Sequence, residues 1–234
     1  MPNTAISGLG FVFKDYDTVW KAMDGGLGAF IRAEIAKSRS IFAFEKIWDN
    51  GYRQVTNSTR PVNSPADLQG LKIRVPASAM WTSLFKGLGA SPATINANEL
   101  YSSLQTKIVD AQENPLAVIS TLKLYEVQKF ISMTNHMWDG FWLLSNRAAF
   151  DALPKDIQAS VTKHLNAGAI AEREDLVKLN MSLRDDLTKN GLQFSTPNPA
   201  EFQDKLRAAG FYKEWKEKFP AAGWAQLEAA VGTL

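Results

Sequence analysis

The sequence predicts an α/β protein, and three observations carry that reading. Leu71-Lys72-Ile73-Arg74-Val75-Pro76 and Val109-Asp110-Ala111-Gln112-Glu113-Asn114-Pro115 each set a short apolar or β-branched run directly before a proline. Proline lacks an amide donor and disfavours helix in the residue before it, so both runs read as strands that end there. A helical stretch between them completes an α/β unit with its polar groups at the carboxyl ends of the strands, where open α/β sheets place ligands. Finally, residues 156–187 carry a helical pattern of about 32 residues, roughly 48 Å long, which outruns one small lobe. Such a helix bridges two bodies or is kinked.

The elements follow in order. Phe11-Val12-Phe13 precedes a helical stretch over residues 16–36, where Val19, Trp20, Met23, Leu27, Phe30, Ile31 and Ile35 recur mostly at spacings of three and four. Gly25, Gly26 and Gly28 interrupt its middle turn. Residues 41–48 and 53–56 read as strands flanking Asp49-Asn50-Gly51, a turn cluster. Ser64-Pro65-Ala66-Asp67 is a helix start, with a hydroxyl cap and proline in the first turn. Residues 78–88 form the helix after Arg74, and 116–125 a later one. Residues 129–133 form a strand followed by Met137, Trp138, Phe141 and Trp142. Core packing is the commoner fate of such rings, so Phe141 and Trp142 are assigned to the core.

In the long helical pattern Ile157, Val161, Leu165 and Ala169 share one face of the first half. Leu176, Leu179, Leu183 and Leu187 share one face of the second, with Gly168 between the halves and Asn190-Gly191 as the stop. Residues 192–194 make a last short strand, and three further helical stretches start near Pro199, Phe211 and Ala222. Their basic residues are interleaved with acids, the pattern of a solvated face.

Composition narrows the function. The chain is long enough for one sizeable core or two modest lobes. A formal charge of +2 lacks the excess basicity of a nucleic-acid footprint. With no cysteine, there is no thiol nucleophile, disulfide or zinc-thiolate site. No run of about 18 apolar residues offers a membrane-spanning helix. Gly26-Leu27-Gly28 and Gly87-Leu88-Gly89 both lack the third glycine of a dinucleotide loop.

Enzyme signals are sparse. No HExxH, GxSxG or metal-spaced acidic cluster occurs. His136 and His164 lie far apart in sequence, and His136, at a strand end, suits a structural hydrogen bond. Glu113 is the one candidate general base, and its neighbours Gln112 and Asn114 suit fixed hydrogen bonding better. Arg74 stands out because a guanidinium presents a planar fork of donors that fits a carboxylate in a bidentate way. From spacing alone, a surface ion pair at a strand end is the favoured account of Arg74.

The run Asp67-Leu68-Gln69-Gly70-Leu71-Lys72-Ile73-Arg74-Val75-Pro76 resembles the signature of the TRAP-transporter periplasmic solute receptors, the DctP-type family. Asn98-Glu99-Leu100-Tyr101-Ser102-Ser103-Leu104-Gln105-Thr106, the Asp110 to Pro115 run and Thr134-Asn135-His136 match in order and spacing, and the resemblance extends from about Phe11 to the C-terminus. It implies a two-lobe α/β fold of the periplasmic-binding-protein kind, with the long helix bridging the lobes. Residues 1–50 and 140–179 are expected in the first lobe. Residues 51–139 and 180–234 are expected in the second, which carries the carboxylate site.

The resemblance also assigns residues. It implies that Arg74 binds the substrate carboxylate and that Asn114 lines the same pocket. Arg53 adds a second contact to an acidic substrate, a solvated strand-end charge being the alternative. Ala77 and the loop at Asn96 and Ala97 select substrates, and Ala97 stands where many relatives carry a large aromatic. Met137 and Trp138 are placed in the pocket on the same ground.

The implied activity is capture of a small organic acid and its delivery to the membrane subunits of a TRAP transporter in the periplasm. Neither cofactor nor metal is expected, and no nucleic acid or direct membrane insertion. An organic-acid sensor and an enzyme acting on a small carboxylic acid are the alternatives. Related receptors carry further chain before the position of Phe11, and Met1-Pro2-Asn3-Thr4 has neither the basic start nor the apolar core of a signal peptide. The first lobe is therefore expected to be incomplete. Part of its Val19, Trp20, Met23, Leu27 face is expected to be exposed, and that lobe to self-associate.

Overall fold

A computed structural model describes residues 2–234. In chain order the elements are α1 (Tyr16–Met23), α2 (Gly26–Ala36), β1 (Ile41–Ala43), β2 (Trp48–Asn57), β3 (Lys72–Val75), α3 (Ala79–Gly87), β4 (Ser91–Thr94), α4 (Leu100–Gln105) and β5 (Ala111–Pro115). They continue as α5 (Leu116–Thr121), β6 (Phe130–Phe141), β7 (Leu144–Asn146), α6 (Arg147–Asp151), α7 (Lys155–Lys189), β8 (Gln193–Ser195), α8 (Pro199–Ala208), α9 (Phe211–Lys218) and α10 (Ala221–Val231).

The chain divides into two units. The first comprises Met1–Gly51, Trp138–Lys178 and Lys216–Leu234; the second comprises Tyr52–Met137 and Leu179–Trp215. β2, β6, α7 and α9 each contribute residues to both. This division departs from the lobes expected above at one end, because 216–234 belongs with the first unit. The physical reason is α10, which packs on α1 and α2. Gly223 permits the close approach: a Cβ there would lie 2.5 Å from Phe30 Cε1.

In the first unit, the 16–36 stretch forms two helices, parted at Asp24 and Gly25. Asp15 caps α1 by accepting from the Thr18 amide at 2.8 Å. Val19, Met23, Leu27 and Ile31 are fully buried, so the expected exposed face is overturned: α10 and the 3-10 turn Pro2–Gly8 pack on these helices. Self-association through that face loses the apolar surface it was to rest on. β1 pairs antiparallel with β7. Phe141, expected in the core, is 58% exposed at the end of β6.

The second unit is built on the sheet β4-β3-β5-β2-β6-β8. β3 runs parallel to β4 and β5, and β2 runs antiparallel to β5. The two prolines end their strands as expected, and Ser78 caps α3. One face of the sheet is closed by a core of Leu100, Leu104, Ile119, Ile131, Leu183, Leu187 and Leu192 with their neighbours.

Two strands run further than the sequence patterns indicate. β2 passes straight through the supposed turn at Asp49-Asn50-Gly51, because Gly51 absorbs the irregularity at φ 97° while its amide donates to Asp49 Oδ1 at 2.8 Å. β6 continues from Phe130 to Phe141, so His136 sits within a strand and not at its end. α7 is one helix of 35 residues, unbroken at Gly168. Its buried stripe is narrower than expected: Ala169, Leu176, Leu183 and Leu187 are buried, whereas Ile157 and Leu179 are more than two-fifths exposed.

Candidate functional site

Four strands, β2, β3, β5 and β6, assemble a buried polar cluster in the second unit. β2 and β5 place Arg53 opposite Pro115, Gln54 opposite Asn114 and Val55 opposite Glu113. β3 sets Arg74 beside Gln112. Arg53, Arg74, Gln112, Glu113, Asn114, Thr134 and His136 are all buried. Buried charges persist only when paired and hydrogen-bonded, so their partners define what the cluster can do.

Arg53 and Glu113 form a bidentate pair. Arg53 Nε donates to Glu113 Oε2 at 2.5 Å and Nη2 to Oε1 at 2.9 Å. Nη2 also donates to the Glu113 carbonyl oxygen at 2.9 Å and to Asn114 Oδ1 at 3.0 Å. The Trp81 indole covers the guanidinium, with Arg53 Cζ 4.6 Å from the ring centroid. Four residues along α3, Phe85 lies 5.3 Å from the His136 ring, edge to face. Arg53 is therefore not the solvated strand-end charge weighed above. Its guanidinium is engaged inside the protein by Glu113 and Asn114.

Glu113 has a second partner in His136, whose Nε2 lies 3.0 Å from Oε2, while His136 Nδ1 lies 2.7 Å from Thr134 Oγ1. Burial holds His136 below its ordinary pKa, against the pull of Glu113, so the ring is neutral near pH 7. A neutral imidazole has one donor and one acceptor. Nε2–H donates to the carboxylate and Nδ1 accepts from the Thr134 hydroxyl. Burial alone would raise the Glu113 carboxyl, but the Arg53 charge and the His136 and Arg53 hydrogen bonds outweigh it and hold the group below the usual range. Glu113 is thus an ionised partner of Arg53, not a poised general base.

Asn114 extends the network. Its Nδ2 donates to Gln112 Oε1 at 2.5 Å, Gln112 Nε2 donates to Thr56 Oγ1 at 2.7 Å, and Thr56 Oγ1 donates to Gln128 Oε1 at 2.9 Å. Both ends of the Asn114 amide are thereby engaged within the protein.

Arg74 differs. Its Nε donates to the Ile95 carbonyl at 2.7 Å, and among the described residues its Nη1 and Nη2 have no hydrogen-bonded acceptor. Burial draws its pKa below the ordinary guanidinium value, with Glu113 opposing and Arg53 adding to the shift. Arg74 stays charged all the same. Two guanidiniums, one carboxylate and a neutral imidazole leave the cluster one net positive charge, and the donors that can spend it belong to Arg74.

The remaining candidates take no part in the hydrogen bonds given above for this cluster. Ala77 is exposed and lines a depression of about 900 Å³ with Ser78, Thr82, Ser83, Thr94 and Phe211. Ala97 is exposed in the 3-10 turn Ala97–Glu99 and does not line that depression. Met137 is buried in the second unit. Trp138 belongs to the first unit, where it is buried, donates from Nε1 to Asp49 Oδ1 at 2.8 Å and meets Phe13 and Trp20 edge to face. Glu113, His136, Thr134 and Trp81 were not among the expected site residues. The acid between Gln112 and Asn114 and the Thr134-Asn135-His136 run carried a visible signal, and Trp81 did not.

The sequence matches the model of bacterial extracellular solute-binding protein family 7 (DctP) over residues 1–218. The chain belongs to this family. It is 35% identical, over 80% of its length, to the 2,3-diketo-L-gulonate-binding periplasmic protein YiaO of Escherichia coli, and spans 56% of that relative. It is 30% identical, over 95% of its length, to the C4-dicarboxylate-binding periplasmic protein DctP of Rhodobacter capsulatus, and spans 67% of it. The chain thus spans little more than half to two thirds of these curated relatives. A crystal structure of a TRAP periplasmic solute-binding protein from Polaromonas bound to D-erythronate superposes with a TM-score of 0.91 at 27% identity, covering 99% of this chain and 75% of that one. The mixed α/β architecture with its long helix is the one these receptors have.

Proposed function

We propose that this protein captures a small organic acid through its carboxylate and delivers it to a TRAP-type secondary transporter in the periplasm. The observation that carries this reading is Arg74, a buried guanidinium whose terminal nitrogens lack an acceptor among the described residues, beside an Arg53–Glu113 pair that is already complete. A buried cation of this kind calls for an anion, and the planar fork of arginine matches a carboxylate. The names of the relatives point the same way, since diketogulonate, C4-dicarboxylates and erythronate all carry that group.

In this reading Arg74 clamps the carboxylate. Asn114 and Glu113 hold Arg53 in place behind it, so the positive field at Arg74 is fixed before the ligand arrives. Preorganisation of this kind spares the ordering cost of binding. Ala77 and Ala97, both small and exposed, leave room for the rest of the acid. The site binds without chemistry, because its one acidic side chain is ion-paired and its imidazole is neutral and engaged on both nitrogens.

The test is mass spectrometry of acids released when the purified protein is denatured, followed by titration of each acid found. A carboxylate recovered unchanged in near-stoichiometric amount is the expected result. Conversion of the added acid to a new product, or failure of every organic acid to bind, overturns it.

A further inference from the structure

We propose that Asp49 is a proton-controlled latch within the first unit: its buried carboxyl ties β2 to β6 where both strands leave that unit, and loss of its proton loosens the tie. No residue of the Arg53, Glu113 and Arg74 cluster takes part.

The latch is built from side chain and backbone together. Asp49 is 5% exposed. Its Oδ1 accepts from Trp138 Nε1 on β6 at 2.8 Å and from the Gly51 amide on its own strand at 2.8 Å. Its amide donates to Glu172 Oε2 on α7 at 2.9 Å. One residue joins β2, β6 and α7, three of the four elements that run on into the second unit. Beside it Asn50 Nδ2 donates to Asp139 Oδ2 at 3.0 Å, a second tie between the same two strands. Gly140 leaves the Trp138 ring its place, since a Cβ there would strike the indole.

The surrounding charges make the tie depend on a proton. Asp49 Oδ2 has no hydrogen-bonded partner among the described residues. Two titratable groups face Asp49: the Tyr16 hydroxyl from α1, which also reaches its carboxyl, and the Glu172 carboxylate from α7, a like charge. The cations of the same region are committed, because Arg173 and Lys46 both pair with Asp24. An ionised Asp49 is therefore a buried anion without a counter-ion, which is unfavourable. Burial pushes its carboxyl up to about 6, with Glu172 adding to the shift and the hydrogen bonds from Trp138, Tyr16 and Gly51 opposing it. Burial raises Glu172 as well. Once the strands part, water solvates the carboxylate, so opening is increasingly favoured as pH rises through about 6.

Hydrogen exchange of the whole chain, followed by NMR at pH 5 and pH 8, reads the opening at the Trp138 Nε1–H and the Gly51 amide. Expressed as protection factors, which remove the intrinsic pH dependence of exchange, both are expected to fall about tenfold from pH 5 to pH 8. Low urea separates two routes of exchange. Local opening exposes little surface and barely responds, whereas unfolding of the unit responds steeply. Asp49→Asn, neutral at every pH, is expected to lose the difference between the two pH values, and Glu172→Gln to keep it.

Protection that does not change between the two pH values overturns the inference. So does exchange at both protons that follows urea as steeply as the Val19 and Ile31 amides, because Asp49 then only stabilises the unit as a whole. A pH difference that survives in Asp49→Asn, or vanishes in Glu172→Gln, assigns the proton elsewhere and overturns it too. Should Asp49→Asn not fold, the parent and Glu172→Gln decide.

Discussion

Arg53 and Glu113, sixty residues apart in sequence, meet as a fully buried two-point ion pair, Nε to Oε2 at 2.5 Å and Nη2 to Oε1 at 2.9 Å. The antiparallel register of β2 on β5 brings them together, with Arg53 opposite Pro115 and Glu113 opposite Val55. Removing one member of a buried pair strands the other charge, at a cost of about 3–5 kcal/mol. Arg53→Ala is accordingly expected to destabilise the protein by that amount in urea unfolding. Arg53→Ala/Glu113→Ala should cost less than the two single changes added together. A loss under about 1 kcal/mol for Arg53→Ala, the scale of a solvent-exposed pair, contradicts the burial of the pair.

Asp49 gives the first unit a pH signature. Burial raises its carboxyl from 3.8 to about 6, against hydrogen bonds from Trp138, Tyr16 and the Gly51 amide and with Glu172 adding to the shift. Oδ2 has no hydrogen-bonded partner among the described residues. The folded-state value lies above the ordinary one, so the stability Asp49 contributes is complete only well below 3.8 and is lost as pH rises through about 6. Relative to Asp49→Asn, the parent is expected to lose about 2–2.5 kcal/mol between pH 4 and pH 8. Urea unfolding at a series of pH values, followed by tryptophan fluorescence, reads the difference. A difference between parent and variant that does not change with pH refutes it.

Two glycines on helices should respond in opposite senses. A Cβ on Gly168 would sit 3.4 Å from Trp48 Cη2, an ordinary contact, so Gly168→Ala in α7 is expected to stabilise by up to about 1 kcal/mol through helix propensity. A Cβ on Gly223 would press on Phe30 at 2.5 Å, and Gly223→Ala is expected to destabilise by about 1–3 kcal/mol through overpacking of α10 on α2. Thermal unfolding of the two variants checks both signs. A neutral Gly223→Ala would mean that α10 does not pack there.

What the sequence made legible was local. Pro76 and Pro115 end their strands, Ser64 and Pro65 open the 3-10 turn Pro65–Leu68, and the 3.6-residue pattern of 156–187 marks α7, because each of these signals is written within a few residues of the feature it controls. Arg74 was legible for the same reason, standing two residues before a proline. The pairing of Arg53 with Glu113 was not, since antiparallel register between distant strands leaves no trace in local spacing. Asp49-Asn50-Gly51 has turn composition, yet its Asp49 carboxylate serves Trp138 and its Gly51 bends within a continuing strand. Trp138 shows the same limit: an aromatic beside the Thr134–His136 run is drawn into the core of the first unit by Asp49, Phe13 and Trp20, none of them near in sequence.

The central claim is that Arg74 holds the ligand carboxylate. Isothermal titration of the acid recovered from the protein, against parent, Arg74→Ala, Arg74→Lys and Arg53→Ala, tests it most directly. Arg74→Ala leaves the ligand carboxylate without its partner and is expected to cost about 3–5 kcal/mol, or roughly two to three and a half decades of affinity, with the fold intact. Arg74→Lys should recover only part of this, since an ammonium keeps the charge but loses the bidentate fork. Arg53→Ala, judged on its folded fraction, should lose less. If Arg74→Ala binds within about fivefold of the parent, a cost of only ~1 kcal/mol, Arg74 does not hold the carboxylate and the account is wrong.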